Sequence, residues 1–208
     1  MKDCLAAKAP SAGRRHGRNR SGGFGPQCLE LRGAGACFFV LMIFLMAMLC
    51  GCSTAPLTHG IPNFSQVDPR VYRGGQPTPE GWAWLKSQGV LYDLKLDTEG
   101  EGSDALAKSN GLHVIPLPIT LFQQTLGQPP TDEIDCAVST IELGTEEFSG
   151  GGVFVHCQHG QDRTGLMIGI YRVRCDHWTK AQAWAEMMAH GFHPLLRGLC
   201  WSWEEDVP

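Results

Sequence analysis

Val153-Phe154-Val155-His156-Cys157-Gln158-His159-Gly160-Gln161-Asp162-Arg163-Thr164-Gly165 is the stretch whose reading decides the fold of this 208-residue chain. A short apolar run suited to a buried strand enters a loop, and a helix-forming segment leaves it. In that arrangement successive loop N–H groups can turn inward as an anion nest, and the helix N-terminus adds its partial positive charge. Gly160 and Gly165 permit backbone conformations and close approaches that a side chain would hinder. Cys157, at the base of the nest, is placed to act as a thiolate nucleophile. Arg163 closes the ring, with a planar fork that suits two phosphoryl oxygens.

Strands and helices alternate on the N-terminal side of this stretch. Residues 71–77 read as a strand ending in a turn. A helix starts at Thr78 or Glu80 and is ended by Gly89. Residues 90–96 form the next strand, 104–110 a helix closed by Gly111, and 112–117 a third strand. Residues 118–130 read as a loop. Thr131 can cap a helix with Ile134, Ala137, Val138 and Ile141 on one face. On the C-terminal side, helices are predicted over 163–174, 180–190 and 195–203. Such alternation predicts an α/β fold with a central, mostly parallel sheet of four to five strands flanked by helices. Ligands in such folds bind outside the carboxyl ends of the strands, where Cys157 to Gly165 lie.

Charge is unevenly distributed. Residues 1–52 carry seven Lys/Arg against two Asp/Glu, whereas residues 53–208 carry ten against nineteen. An acidic body lacks the basic footprint of a nucleic-acid binder, so that class is excluded. It also repels polyanions at long range, so a phosphate site must be locally positive.

Arg14, Arg15, Arg18, Arg20 and Arg32 precede an uncharged apolar run over 36–49. That run is short for a membrane-spanning helix and suits the apolar core of an export signal. It ends in Leu49-Cys50-Gly51-Cys52-Ser53, which resembles a bacterial lipobox. The resemblance implies a lipid on Cys52 and a membrane-anchored protein of the cell envelope. The expected organisation is a basic signal and anchor segment over 1–52, a polar linker over 53–68 and one domain over 69–208. Beyond Cys52 only Cys136, Cys157, Cys175 and Cys200 remain, without the spacing of a disulfide scaffold or a zinc site.

His156-Cys157, five residues, then Arg163-Thr164 resembles the signature of the protein-tyrosine and dual-specificity phosphatase superfamily. Tyr72-Arg73-Gly74-Gly75-Gln76-Pro77 is similar to the opening strand and turn of its small bacterial members, and the likeness extends from Arg70 to about His193. The lipobox points to a lipoprotein-type member. The resemblance implies attack of Cys157 on phosphorus, a phosphocysteine, and its hydrolysis by water, with no metal and no cofactor. It implies that Gln158, His159, Gly160, Gln161 and Thr164 line the substrate site, that Thr164 donates to the Cys157 sulfur, and that His156 orients the loop from behind. The substrate expected is a phosphorylated protein or a small phosphomonoester, and the protein is expected to be a monomer.

The general acid stays open at this level. Many relatives supply an Asp from the loop after the third strand, but residues 118–130 contain no carboxylate. Asp162 is the first candidate, because some relatives assign the acid to an Asp directly before the loop Arg. Asp132, Glu133 and Asp135 follow, although carboxylates in a first helical turn also serve the helix dipole. His159, inside the loop, has two readings, substrate contact or a solvent-facing ring; His190 and His193 flank a helix end without ligand-like spacing to Asp or Glu, and Asp93 and Asp97 read as structural. Two other functions fit the same loop: a lipid or sugar phosphate phosphatase of the envelope, and a phosphate-binding module without turnover.

Overall fold

The computed structural model describes residues 57–145 and 150–207. The basic segment, the apolar run and Cys52 lie outside the described residues. Among those described, no helix is long and apolar enough to cross a membrane.

The described residues form seven strands and seven helices in chain order: β1 (Leu57–Thr58), β2 (Ile61–Pro62), β3 (Ser65–Asp68), β4 (Val71–Gly74), α1 (Pro79–Ser87), β5 (Val90–Lys95), α2 (Ala105–Ser109), β6 (His113–Pro116), α3 (Leu121–Thr125), α4 (Thr131–Thr145), β7 (Gly152–His156), α5 (Asp162–Arg174), α6 (Lys180–Ala189) and α7 (Arg197–Asp206). The main sheet has five strands in the order β3-β4-β7-β5-β6. The β3–β4 pair is antiparallel and every other pair is parallel. This is the α/β architecture read from the sequence. β7 is central and wholly buried, so its run of apolar residues is what a doubly covered strand requires.

Period-two alternation divides the core. Val71, Leu94, Val153 and Val155 face one side, where Ile134, Ala137, Val138 and Ile141 of α4 and Leu166 and Ile170 of α5 cover them. Tyr72, Val90 and Phe154 face the other, against Trp82 and Leu85 of α1 and Ala107 of α2. Thr78 caps α1 by accepting from the Gly81 amide, and Pro79 opens the helix where no N–H is needed.

Two expectations are corrected. The linker over 53–68 is structured from residue 57 onward. β1 and β2 form a small antiparallel hairpin, Ile61 is fully buried, and β3 joins the main sheet as its edge. The tie is polar: Tyr171 Oη donates to Asp68 Oδ2 at 2.8 Å, and Arg172 Nη2 to the Val67 carbonyl at 3.0 Å. A polar composition hid a strand that is anchored by side chains of α5. The loop over 118–130 contains α3, whose Thr120 and Gln123 form a reciprocal capping box. The helix boundaries elsewhere fall within a few residues of those expected.

Candidate active site

The loop after β7 is braced from outside by the turn after β4. Gly160 has φ +72°, the left-handed conformation that glycine adopts without strain. Its carbonyl accepts from Arg73 Nη2 at 3.1 Å and from Asn63 Nδ2 at 2.9 Å. The Gln76 amide donates to the Gln158 carbonyl at 3.1 Å. A Cβ on Gly75 would stand 2.9 Å from that same carbonyl oxygen, so Gly75 is what lets the turn approach the loop. Arg73 is fully buried, and its Nε and Nη1 have no hydrogen-bond partner. Burial pulls its pKa down to about 10, which leaves it cationic at neutral pH, and it interacts electrostatically with Cys157.

Inside this brace Cys157 is 2% exposed and Arg163 5% exposed, so the thiol and the guanidinium share a recessed site. Burial disfavours the Arg163 cation, but Glu101 and Cys157 outweigh it. Glu101 Oε1 lies 2.7 Å from Arg163 Nη2, and Oε2 2.9 Å from Nη1. Nη1 also donates to the Ile119 carbonyl at 3.3 Å. Glu101 is itself held by the Thr98 amide and hydroxyl at 3.0 and 2.9 Å. Hydrogen bonding to Arg163 draws the Glu101 carboxyl down to about 2. Thr164 is fully buried, but its hydroxyl has no hydrogen-bond partner, so the bond expected to the Cys157 sulfur is not made here. The idle hydroxyl remains a donor for charge that develops at the loop base.

Behind the loop lies a buried charged cluster. Asp93, Lys95 and His156 point to the same sheet face, as the alternation of β5 and β7 requires. His156 Nε2 is 3.2 Å from Asp93 and 3.6 Å from Asp104, and Lys95 Nζ is 2.8 Å from Asp104 and 3.2 Å from Asp97. Burial opposes the His156 cation, but the two carboxylates lift its pKa to about 10. Lys95 also donates to the Gly102 carbonyl at 2.6 Å, next to Glu101. His156, directly before Cys157, is thereby connected to the segment that holds Arg163. Asp93, Asp104 and His156 come within 4.8 Å of one another, as metal ligands would. The fit is poor: Lys95 already supplies the cation, and a ligating imidazole must be neutral.

The acid candidates separate. Asp135 pairs with Arg174 at 2.6 Å, and Arg174 is the last residue of α5. At about 1.5 Å rise per residue, α5 carries that pair a full helix length from Asp162. This removes Asp135 from the chemistry. Asp132 and Glu133 occupy the first turn of α4, where carboxylates favour the helix end. Asp162 opens α5 beside Arg163, and its Oδ1 accepts from the His193 amide at 2.7 Å and faces His193 Nδ1 at 3.0 Å. Gln158 and Gln161 are half-buried on the loop, and His159 is exposed.

A family model described as DSP-PTPase phosphatase fused to NAD+ kinase matches residues 56–196. The chain belongs to that DSP-PTPase family. The dual-specificity protein phosphatase TpbA of Pseudomonas aeruginosa is 45% identical over 130 residues, covering 62% of this chain and 55% of TpbA. The inositol diphosphatase DSP4 of Arabidopsis thaliana is 31% identical over 113 residues, covering 53% of this chain and 54% of DSP4. The chain thus spans little more than half the length of these relatives. The catalytic core of the PP-IP phosphatase SIW14 from S. cerevisiae superposes with a TM-score of 0.56 at 24% identity, over 71% of this chain and 88% of that one, which shows a shared fold.

Sequence reasoning missed Glu101, Asn63 and the buried role of Arg73. Glu101 stands in a turn of Asp, Thr, Glu and Gly residues that reads as solvated surface. A polar residue in a left-handed turn was the one local sign at Asn63, which has φ +49°.

Proposed function

We propose that this protein is a cysteine-dependent phosphatase that hydrolyses phosphate monoesters through a phosphocysteine. The observation that carries the reading is the pairing of a recessed Cys157 with an Arg163 whose guanidinium is fixed by Glu101. Cys157 attacks phosphorus, Arg163 holds two phosphoryl oxygens and offsets the charge of the transition state, and water then releases phosphate. Gln158, His159, Gly160, Gln161 and Thr164 line the site, and Asp162 belongs to its acid end.

Among phosphorylated substrates, a phosphoprotein of the phosphotyrosine or phosphoserine type is favoured over an inositol pyrophosphate. The loop positions between Cys157 and Arg163 are Gln, His, Gly, Gln and Asp, with no Lys or Arg. A ligand bearing many phosphates needs several cations, whereas one monoester is served by Arg163 and the loop amides. The relatives' names span both classes, dual-specificity protein phosphatase and inositol diphosphatase. Residues 36–49 and the lipobox-like end at Cys52 support a membrane-anchored lipoprotein of the cell envelope. A Cys52→Ser chain that stays in the membrane fraction would count against the lipid anchor.

The test is hydrolysis of 4-nitrophenyl phosphate by the full chain in EDTA and reductant. Turnover that disappears in Cys157→Ser, with phosphate binding kept, establishes the reaction. Turnover that survives in Cys157→Ser overturns it, and binding without turnover in the wild type selects the phosphate-binding module.

A further inference from the structure

The family reading leaves one step without an agent. The leaving oxygen must take a proton as the P–O bond breaks, and residues 118–130 bring no carboxylate to the site. Glu101 is taken up by Arg163, and Asp162, the carboxylate that precedes Arg163 in the chain, already accepts from the His193 main-chain amide at 2.7 Å through Oδ1. His193 Nδ1 lies 3.0 and 3.2 Å from the two Asp162 oxygens. A carboxylate oxygen accepts hydrogen bonds, so this contact suits a ring that presents Nδ1–H to Asp162. Nε2 then points away from the carboxylate, on a side chain that is 62% exposed.

The position is built. His193 follows α6 in a short segment anchored by Phe192, which is 3% exposed and meets the Trp184 ring at 5.5 Å. Asn63, which holds the Gly160 carbonyl of the loop, also donates to the His190 carbonyl at 2.8 Å. The His190–His193 segment and the phosphate loop are thus fixed to the same residue at one end and joined by Asp162 at the other.

We propose that His193 is the proton donor to the leaving group, and that Asp162 positions its ring. The proposal rests on the phosphatase reading above and adds the residue that protonates the leaving oxygen. In the first step the Cys157 sulfur lone pair forms the S–P bond. The P–O bond breaks, its electron pair stays on the leaving oxygen, and that oxygen takes the Nε2 proton of the His193 imidazolium, whose Nδ1–H stays on Asp162. In the second step neutral Nε2 takes a proton from water as the water oxygen attacks phosphorus. The S–P bond then breaks with its pair returning to sulfur, and inorganic phosphate leaves. Asp162 changes no bond in either step.

The experiment measures kcat and KM of the full chain on 4-nitrophenyl phosphate and on phenyl phosphate, whose leaving group needs the proton far more. Wild type, Cys157→Ser, His193→Ala and Asp162→Asn are compared. His193→Ala keeps the main-chain bond to Asp162. It is expected to lose about 100-fold in kcat on phenyl phosphate and only a few-fold on 4-nitrophenyl phosphate, with KM little changed. Added imidazole should restore part of the phenyl phosphate rate. Asp162→Asn should lose less, because the amide oxygen still accepts from both His193 groups. The proposal is overturned if Asp162→Asn shows the steep leaving-group dependence and His193→Ala does not, which makes Asp162 the acid. It is also overturned if His193→Ala loses the same factor on both substrates, which is a structural effect. A wild type that turns over neither substrate, or a Cys157→Ser chain that turns over both, overturns the phosphatase reading itself.

Discussion

Glu101 meets Arg163 end-on, with one carboxylate oxygen on each terminal nitrogen at 2.7 and 2.9 Å. That geometry uses the Nη1–Nη2 edge of the guanidinium and leaves the Nε–Nη2 edge open to two phosphoryl oxygens. Glu101 therefore aims the clamp without filling its seat. Glu101→Gln should lower kcat/KM by about 10- to 100-fold, since a misplacement of about 1 Å can cost 100-fold. The inhibition constant of inorganic phosphate should rise with it. Tighter phosphate binding in Glu101→Gln would mean instead that the carboxylate competes with substrate.

The same pair sets an acid limit. The Glu101 carboxyl is drawn down to about 2 by Arg163, below its unfolded value near 4.5. Its contribution to stability is complete above the unfolded value and is lost as pH falls through about 2. Thermal melts from pH 5 down to pH 2 should show a steeper loss for the wild type than for Glu101→Gln. Equal slopes would remove the ion pair from the acid response.

Gly160→Ala should abolish phosphate binding or unfold the loop. A Cβ there would stand 2.3 Å from the Gly74 carbonyl carbon and 2.4 Å from the Gly75 nitrogen, and φ is +72°. Both contacts are backbone and cannot turn aside. Retained phosphate affinity in a folded Gly160→Ala chain would show that the loop can open from the β4 turn.

Arg73→Met separates stability from function. Arg73 is fully buried with two unpartnered nitrogens, and a buried charge whose hydrogen bonds are not all met costs stability that an apolar side chain of similar size does not. The melting temperature should hold or rise. Activity should fall by roughly 10-fold or more, because the Gly160 carbonyl loses a donor and the site loses a positive charge. A drop in melting temperature with activity kept would refute this division.

His156 predicts an alkaline weakness. Burial is overcome by Asp93 and Asp104, and its pKa rises to about 10 against about 6.5 in an unfolded chain. The folded state then binds the extra proton between those values. The contribution of His156 is full below about pH 6.5 and is lost as pH rises through about 10. A His156→Gln chain should be less stable at pH 6 and should show a flatter decline from pH 7 to 10. Parallel curves would place the alkaline response elsewhere.

The parts of this protein that could be read in advance are contiguous in the chain. The apolar run of β7, the loop from Cys157 to Arg163 and the periodic face of α4 each depend on neighbours within a turn or a strand. Thr120 and Gln123 were equally local, and a closer reading of their spacing would have found α3. β3 was different. Its composition is polar, and it became a strand because Tyr171 and Arg172, over a hundred residues away, hold Asp68 and Val67.

What the sequence alone determined is the candidate centre: a strand, a loop bearing Cys157 and Arg163, and a helix start. Those groups need only the geometry of adjacent peptide units to meet. The tertiary structure decided what surrounds them. Glu101 reaches Arg163 across 62 residues, Arg73 reaches Gly160 across 87, Asn63 reaches Gly160 across 97, and His193 reaches Asp162 across 31. The reason is that a charged or polar partner has no preferred spacing along the chain. Which carboxylate meets which cation is settled when the sheet and its covering helices bring them out of water together, where pairing offsets the cost of burying charge.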